Sequence, residues 1–191
     1  MPDIEDQRAA RHRRIPLVRG QIFALREAAV FSSEKVGAGP PGMDAGHMLT
    51  ANMQAAFALE LSLKLFHMTY AEAEARGHDL KRLFNELPPK MCEDIRAAYE
   101  APGQALPNIK AFAFQTSPIQ PAPPTSGSGN RYAKADDLFE ACSQLFVQAR
   151  YFYEQVGADW VMIDHPMEYM LRMIDVLATV YDGYLERGGW A

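Results

Sequence analysis

One uninterrupted run of helix-forming residues constrains the fold of this sequence more than any other feature. Residues 47–76 contain neither glycine nor proline, and they are dominated by alanine, leucine, methionine, glutamate and lysine, which favour helices strongly. Glu60 and Lys64 lie four residues apart, in the order that favours an ion pair on an exposed helix face. The run predicts one long helix, and Gly77 supplies a natural left-handed C-cap after it.

Shorter amphipathic stretches on both sides of this run predict further helices, because apolar residues recur in them at helical spacing. The predicted helices are residues 21–35, the stretch that opens at Asp79, the stretch that follows Pro89, residues 135–155 and the stretch that follows Pro166. Asp164 or His165 is expected to cap the last of them. No stretch alternates convincingly as a strand, so the expected class is all-α, a bundle of four main helices with an extra N-terminal helix.

The basic residues are unevenly distributed, and several of them cluster near the N-terminus. Residues 1–20 are polar and basic, and we expect them to form a flexible arm ahead of a helical domain at 21–191. Its basic side chains are Arg8, Arg11, Arg13, Arg14 and Arg19, with His12 among them. The arm either touches phosphates or is a solvated tail, since chain ends are commonly disordered.

A segment rich in proline, glycine and serine interrupts the helical pattern at about 101–134. Its middle, "PIQPAPPTSGSG", is typical of a flexible linker or an exposed loop. Long loops without secondary structure are uncommon inside compact domains, so this insertion is either functional or disordered. The stretch "IKAFAF" within it could form a short strand or an extended arm.

Composition and motifs exclude several classes of function. The formal net charge of −5 does not indicate a surface that binds nucleic acid as a whole. Cys92 and Cys142 are far apart, form no CxxC pair, and are expected to be buried rather than reactive. No phosphate-binding glycine motif or metal-ligand pattern is present, so we expect no cofactor and no metal. The chain lacks a signal peptide and a membrane-spanning run, which favours the cytoplasm and no membrane partner.

Two places carry groups that are capable of chemistry. Arg150 and Glu154 are four residues apart beside Tyr151, and form either an ion pair next to core aromatics or a groove for a phosphate or a base. His78 and Asp79 stand between two helical segments. There Asp79 is a good N-cap, and His78 is expected to hydrogen-bond nearby backbone at the joint rather than to act as an active site.

Three stretches, "AFALELSLKLF", "GHDLKRLFNELP" and "LFVQARYFYE", together resemble the HEPN superfamily over about Leu49 to Glu154. The resemblance implies a bundle of four or five helices that commonly dimerises. Many members of the family are RNA-cutting toxins or defence proteins, and others are non-catalytic modules that bind nucleotides or partners. The ribonuclease members share an arginine followed by a histidine about four to six residues later. Arg150 stands where that motif would begin, but no histidine follows it at that spacing.

The sequence thus leads to three functional hypotheses. The first is a cytoplasmic, HEPN-like homodimer that binds a nucleotide, RNA or a protein partner without catalysis. Its groove is expected to be lined by Arg150, Tyr151, Glu154, Lys64 and His78. The second is an RNA endonuclease of a toxin–antitoxin or defence system, which uses Arg150 with Glu154 or a distant histidine. The third is an adaptor whose 101–134 loop docks onto a partner.

Overall fold

Helices dominate the computed structural model, as the all-α expectation requires, with one pair of short strands beside them. The structure describes residues 4–38, 43–70, 75–102, 110–115, 132–143, 145 and 160–188. The helices are α1 (Ile4–Glu34), α2 (Met43–Tyr70), α3 (Leu80–Asn85), α4 (Pro89–Tyr99), α5 (Ala135–Cys142) and α6 (Met167–Glu186). The strands are β1 (Lys110–Gln115) and β2 (Trp160–His165).

Helix α2 is the centre of the bundle, and α1, α3 and α6 all contact it. It is buried on more than one side, because its alanines let neighbouring helices approach closely while its large side chains fill the core. Buried residues include Ala51, Ala55, Ala58, Leu59, Leu63 and Phe66. The predicted long helix is therefore confirmed over Met43–Tyr70. Arg76 is not helical, so Gly77 does not directly follow a helix as its predicted C-cap.

Helix α1 is much longer than the sequence pattern suggests. Its predicted start near residue 21 is wrong, because the helix begins at Ile4 and contains Pro16 in its interior. Most of residues 1–20, predicted as a separate basic arm, thus continue the helix that packs on α2. Arginine and alanine, which are frequent in this segment, are good helix formers, and Pro16 is exposed, so the core is not disturbed at that position.

The turns around α3 and α4 form as the sequence predicts. Asp79 has an extended backbone and its carboxylate accepts a hydrogen bond from the backbone N–H of Arg82 at 2.9 Å, which caps α3. Pro89 lies in the first turn of α4, where its missing N–H has no helical partner to lose. The stripe of Leu80, Leu83 and Phe84 is fully buried.

The two strands correct the expectation that no strand is present. They pair antiparallel, from Lys110 opposite His165 to Gln115 opposite Trp160. β1 contains most of "IKAFAF", so the 101–134 insertion is not structureless throughout. Asp164 and His165 belong to β2 and do not cap α6, whose cap position is held by Pro166. Each strand finds its partner far away along the chain, and a local pattern does not show such a pairing.

The last helices follow their predicted stripes in part. In α6, Met170, Ile174, Leu177 and Tyr181 are buried as predicted, whereas Leu185 is exposed. The predicted 135–155 helix is described as α5 and at residue 145, and residues 146–155 lie outside the described part of the chain.

Cys92 and Cys142 are both buried, and desolvation raises the pKa of the Cys92 thiol. Within the described ranges, no helix is long and apolar enough to cross a membrane.

A charged cluster joins α3, α4 and α5. The carboxylate of Asp136 accepts hydrogen bonds from Lys81 Nζ at 2.5 Å and from Arg96 Nε at 2.6 Å. The guanidinium of Arg96 also lies 4.9 Å from the ring centroid of Phe84. The hydrogen bonds from Arg96 and Lys81 lower the pKa of Asp136 to about 2, because both partners favour the ionised carboxylate.

Acid should remove the stabilisation that the ionised carboxylate of Asp136 gives to the fold, within a defined pH range. The pKa of Asp136 lies below its unfolded value of 3.8, so its stabilisation is fully present above about pH 4 and is lost as the pH falls towards 2. We expect Asp136→Asn to lower the free energy of unfolding by about 1 kcal/mol at pH 7, a value reduced for partial exposure of the pair. Urea unfolding at pH 7, 4 and 2 checks this.

The exposed neighbour Asp137 provides a matched control, because Asp137→Asn makes the same chemical change on the same helix. The difference in the free energy of unfolding between wild type and Asp136→Asn should narrow between pH 4 and pH 2. The corresponding difference for Asp137→Asn should stay near zero throughout. A gap for Asp136→Asn that is equally large at pH 7 and pH 2 would contradict the assigned role of the carboxylate.

Candidate functional site

The residues predicted to line a ligand groove fall into two groups in the structure. Arg150, Tyr151 and Glu154 lie outside the described residues. Lys64 and His78 are described, and they meet at one carboxylate, that of Glu60. We name Glu60, Lys64 and His78 the joint cluster, since it lies where the chain passes from α2 to α3.

The joint cluster is built on a buried acid. The side chain of Glu60 is only 3% exposed, whereas that of His78 is 60% exposed. Lys64 Nζ donates to Glu60 Oε1 at 2.7 Å. His78 Nδ1 lies 2.9 Å from Glu60 Oε2 and 3.1 Å from Oε1, so it donates to the carboxylate. A buried carboxylate is stable only when it is paired and hydrogen-bonded, and both conditions hold here.

The backbone before α3 brings His78 to this carboxylate. Gly77 has a φ of 91°, in the left-handed region that a residue with a Cβ rarely adopts. Asp79 then caps α3, and its Oδ1 also lies 3.1 Å from Ser143 Oγ at the end of α5. The backbone hydrogen bond from Arg82 is the main cause of the lowered pKa of Asp79. The joint is thus fixed on one side by α2 and on the other by α5.

This arrangement orients an exposed imidazole. Nδ1 of His78 faces Glu60, while 60% of the His78 side chain is exposed. The three groups together carry a charge of zero with neutral His78 and +1 when it is protonated. The joint cluster can therefore hydrogen-bond an anionic group such as a phosphate oxygen, and a histidine held by a carboxylate is also suited to acid–base chemistry.

The sequence indicated all three residues of the joint cluster, but it did not show that His78 meets the Glu60–Lys64 pair. It predicted the Glu60–Lys64 pair, and that pair is confirmed, but as a half-buried pair rather than an exposed one. His78 was expected to hydrogen-bond nearby backbone, and the structure shows its Nδ1 hydrogen-bonded to the side chain of Glu60. The missed signal is a single acid in an otherwise apolar stretch, "FALELSL". Across the described residues, no group of three or more His, Cys, Asp or Glu could hold a metal.

A second concave site lies between α1 and α6, with α2 as its floor. Its volume is about 280 Å³. Its walls are mainly apolar and include Ile22, Phe23, Leu65, Phe66, Ile174 and Leu177. We call it the α1–α6 groove.

Two ion pairs span this groove. Arg26 binds Asp175 through two hydrogen bonds, Nε to Oδ1 at 2.8 Å and Nη2 to Oδ2 at 2.9 Å. Arg19 Nη2 lies 2.8 Å from Asp182 Oδ1. The arginines are seven residues apart on α1, and so are the aspartates on α6, which puts the two pairs about 10.5 Å apart along the helices.

The outer side of α1 exposes large apolar side chains. Leu17, Phe23 and Phe31 are 75%, 65% and 62% exposed. Leu17 and Phe31 share one side of the helix with the exposed small residues Gly20 and Ala24, at steps of three, four and seven residues. We call this side the α1 face. Large apolar side chains exposed on one side of a helix are candidates for a place of interaction.

Comparisons of the chain with protein-family models, curated proteins and solved structures found no match. The HEPN resemblance therefore rests on the sequence motifs alone. Those motifs coincide with the joint cluster in one respect, since "GHDLKRLFNELP" contains His78, the cap of α3 and the whole of that helix.

Proposed function

We propose that this chain is a HEPN-like helical protein that works by binding and forms a homodimer through the α1 face. The exposure of Leu17 and Phe31 on the same side of α1 is the observation that carries the proposal. The HEPN resemblance supports it, because that family commonly dimerises. A cytoplasmic location and the absence of a membrane partner belong to the same proposal.

A second copy of this chain fits the α1 face. If two α1 helices pair antiparallel about Ala24, Leu17 lies opposite Phe31 of the partner subunit. Gly20 and Ala24 then let the two backbones approach in the middle, while the larger side chains pack at the ends.

Charges introduced on the α1 face should separate the subunits. We expect Leu17→Glu combined with Phe31→Glu to weaken the dimer at least about 100-fold, because each change removes a central apolar contact and buries a carboxylate. Size-exclusion chromatography with light scattering at micromolar concentration measures this. The control is Leu185→Glu, which changes an exposed leucine that lies on α6, and it should leave the dimer intact. A monomeric wild-type protein would contradict the proposal.

The joint cluster is the described part of the proposed ligand site. Lys64 and His78 both face Glu60, and a phosphate oxygen of a nucleotide or RNA suits their N–H donors. In the proposal, Arg150, Tyr151 and Glu154 complete the site from the chain beyond α5. Arginine adds a planar donor for phosphate, and tyrosine a surface on which a base stacks.

An RNA endonuclease is the second candidate, and the carboxylate-held imidazole of His78 is the observation that favours it. One experiment separates the two functions. Labelled single-stranded RNA is incubated with the wild type, His78→Gln and Arg150→Ala, and both anisotropy and strand length are measured. Binding that weakens in the variants while the RNA stays intact supports a binding module. Cleavage that both variants abolish supports the nuclease, and the absence of binding and cleavage argues against both for RNA.

A further inference from the structure

The α1–α6 groove is separate from both the joint cluster and the α1 face, and its chemistry is different. The geometry points to a binding site for an elongated apolar molecule that ends in a carboxylate. This inference goes beyond the proposed function, since neither dimerisation nor a phosphate ligand needs this groove.

The size and lining of the groove fit an apolar chain. Its volume of about 280 Å³ is about twice that of an engineered core cavity that binds benzene, which leaves room for about eight to ten carbons. Leu65 and Phe66 form the floor, and both are buried, so they hold a fixed surface. Ala178 on the α6 wall is too short to fill the space above them.

One end of the groove offers donors for an anion. Arg19 uses a single nitrogen, Nη2, for Asp182, whereas a guanidinium carries five N–H donors. Its side chain is 45% exposed, so the remaining donors are accessible to a carboxylate at the groove mouth. Arg26 does not offer the same opportunity, because Asp175 and Glu27 together engage its Nε, Nη1 and Nη2.

The two ion pairs set the length and direction of the ligand. They stand about 10.5 Å apart along the helices, and the apolar side chain of Ile22 lies between them on the α1 side. A ligand whose hydrocarbon chain lies on α2 would pass beneath the Arg26–Asp175 pair, and its carboxylate would lie at Arg19. Asp182 is the negative group nearest that end, so it opposes the ligand's charge.

Decanoate, below its micelle concentration, is the probe for this site, and isothermal titration calorimetry is the measurement. We expect saturable binding with one decanoate per chain, and an affinity that falls roughly fourfold for each methylene removed. Decanol should bind more weakly than decanoate, because it lacks the charge that Arg19 recognises. No saturable binding of decanoate would overturn the inference.

Two variants of the same ion pair give opposite expectations. Arg19→Gln should weaken decanoate binding about tenfold, because a charge-assisted hydrogen bond is lost. Asp182→Asn should strengthen it about threefold or more, because a like charge is removed and Arg19 is released. Both variants break the Arg19–Asp182 ion pair between α1 and α6. If this ion pair only held the two helices together, both variants would change the affinity for decanoate in the same direction. Decanol affinity should change less than twofold in both.

Filling the groove gives an independent test. Ala178→Phe should abolish decanoate and decanol binding alike, because the new ring occupies the space between the walls. Thr179→Phe is its matched control, since Thr179 is exposed on the same helix and does not line the groove. Equal decanoate affinity in Ala178→Phe and Thr179→Phe would show that the ligand binds elsewhere and would overturn the assignment.

Discussion

Phe84→Ala should lower the free energy of unfolding by about 3–5 kcal/mol, the largest effect we expect of any single change. Phe84 is fully buried, its ring stacks on Phe139 with 4.6 Å between centroids, and the guanidinium of Arg96 lies 4.9 Å from its ring centroid. Helix α3 is too short to be stable alone, so its packing holds it in place. Urea unfolding followed by circular dichroism measures the loss.

Two further variants show whether burial is the cause. Phe84→Leu keeps much of the apolar volume, so it should cost clearly less than the alanine change. Leu185→Ala removes an exposed apolar side chain of α6 and should alter stability by less than about 0.5 kcal/mol. A loss below about 1 kcal/mol for Phe84→Ala would show that α3 does not depend on this contact.

Glu60→Ala should destabilise the protein by about 3 kcal/mol and also release His78. The change leaves a cavity at a fully buried position and removes the acceptor shared by Lys64 and His78. Lys64 and His78 can both be solvated once Glu60 is removed. The free energy of unfolding therefore falls by less than it would for an ion pair that is fully enclosed in the core. Unfolding in urea gives the stability, and NMR of the His78 ring reports its release from the carboxylate.

An exposed acid provides the comparison for Glu60. Glu86 pairs with Arg82 four residues before it, at 3.5 Å, with both side chains about half exposed. Glu86→Ala should therefore cost less than about 1 kcal/mol. Similar losses for the two glutamates, or an unchanged His78 resonance in Glu60→Ala, would contradict the role given to the joint cluster.

Features set by neighbouring residues could be predicted from the sequence. The Asp79 cap, Pro89 in the first turn of α4 and the left-handed Gly77 all depend on a few adjacent residues and their backbone preferences. The body of α2 belongs to the same class, because its run of strong helix formers has no break.

Features set by distant partners could not be predicted in this way. The β1–β2 pairing joins segments that are about fifty residues apart, and neither carries a pattern that requires the other. The burial of Glu60 depends on which helices surround α2, because an acid at that position is equally acceptable on an exposed face. The α1–α6 groove is likewise invisible in the sequence, since its two walls come from opposite ends of the chain.

The position of those walls links the groove to the order in which the protein is made. Arg26 and Asp175 are 149 residues apart in the chain, so α6 reaches α1 only after all the residues between them have been synthesised. Contacts between α2, the joint and α3 are close in sequence and are available earlier. A molecule that binds between α1 and α6 therefore recognises only chains that extend through α6, and it stabilises them without acting on shorter nascent ones.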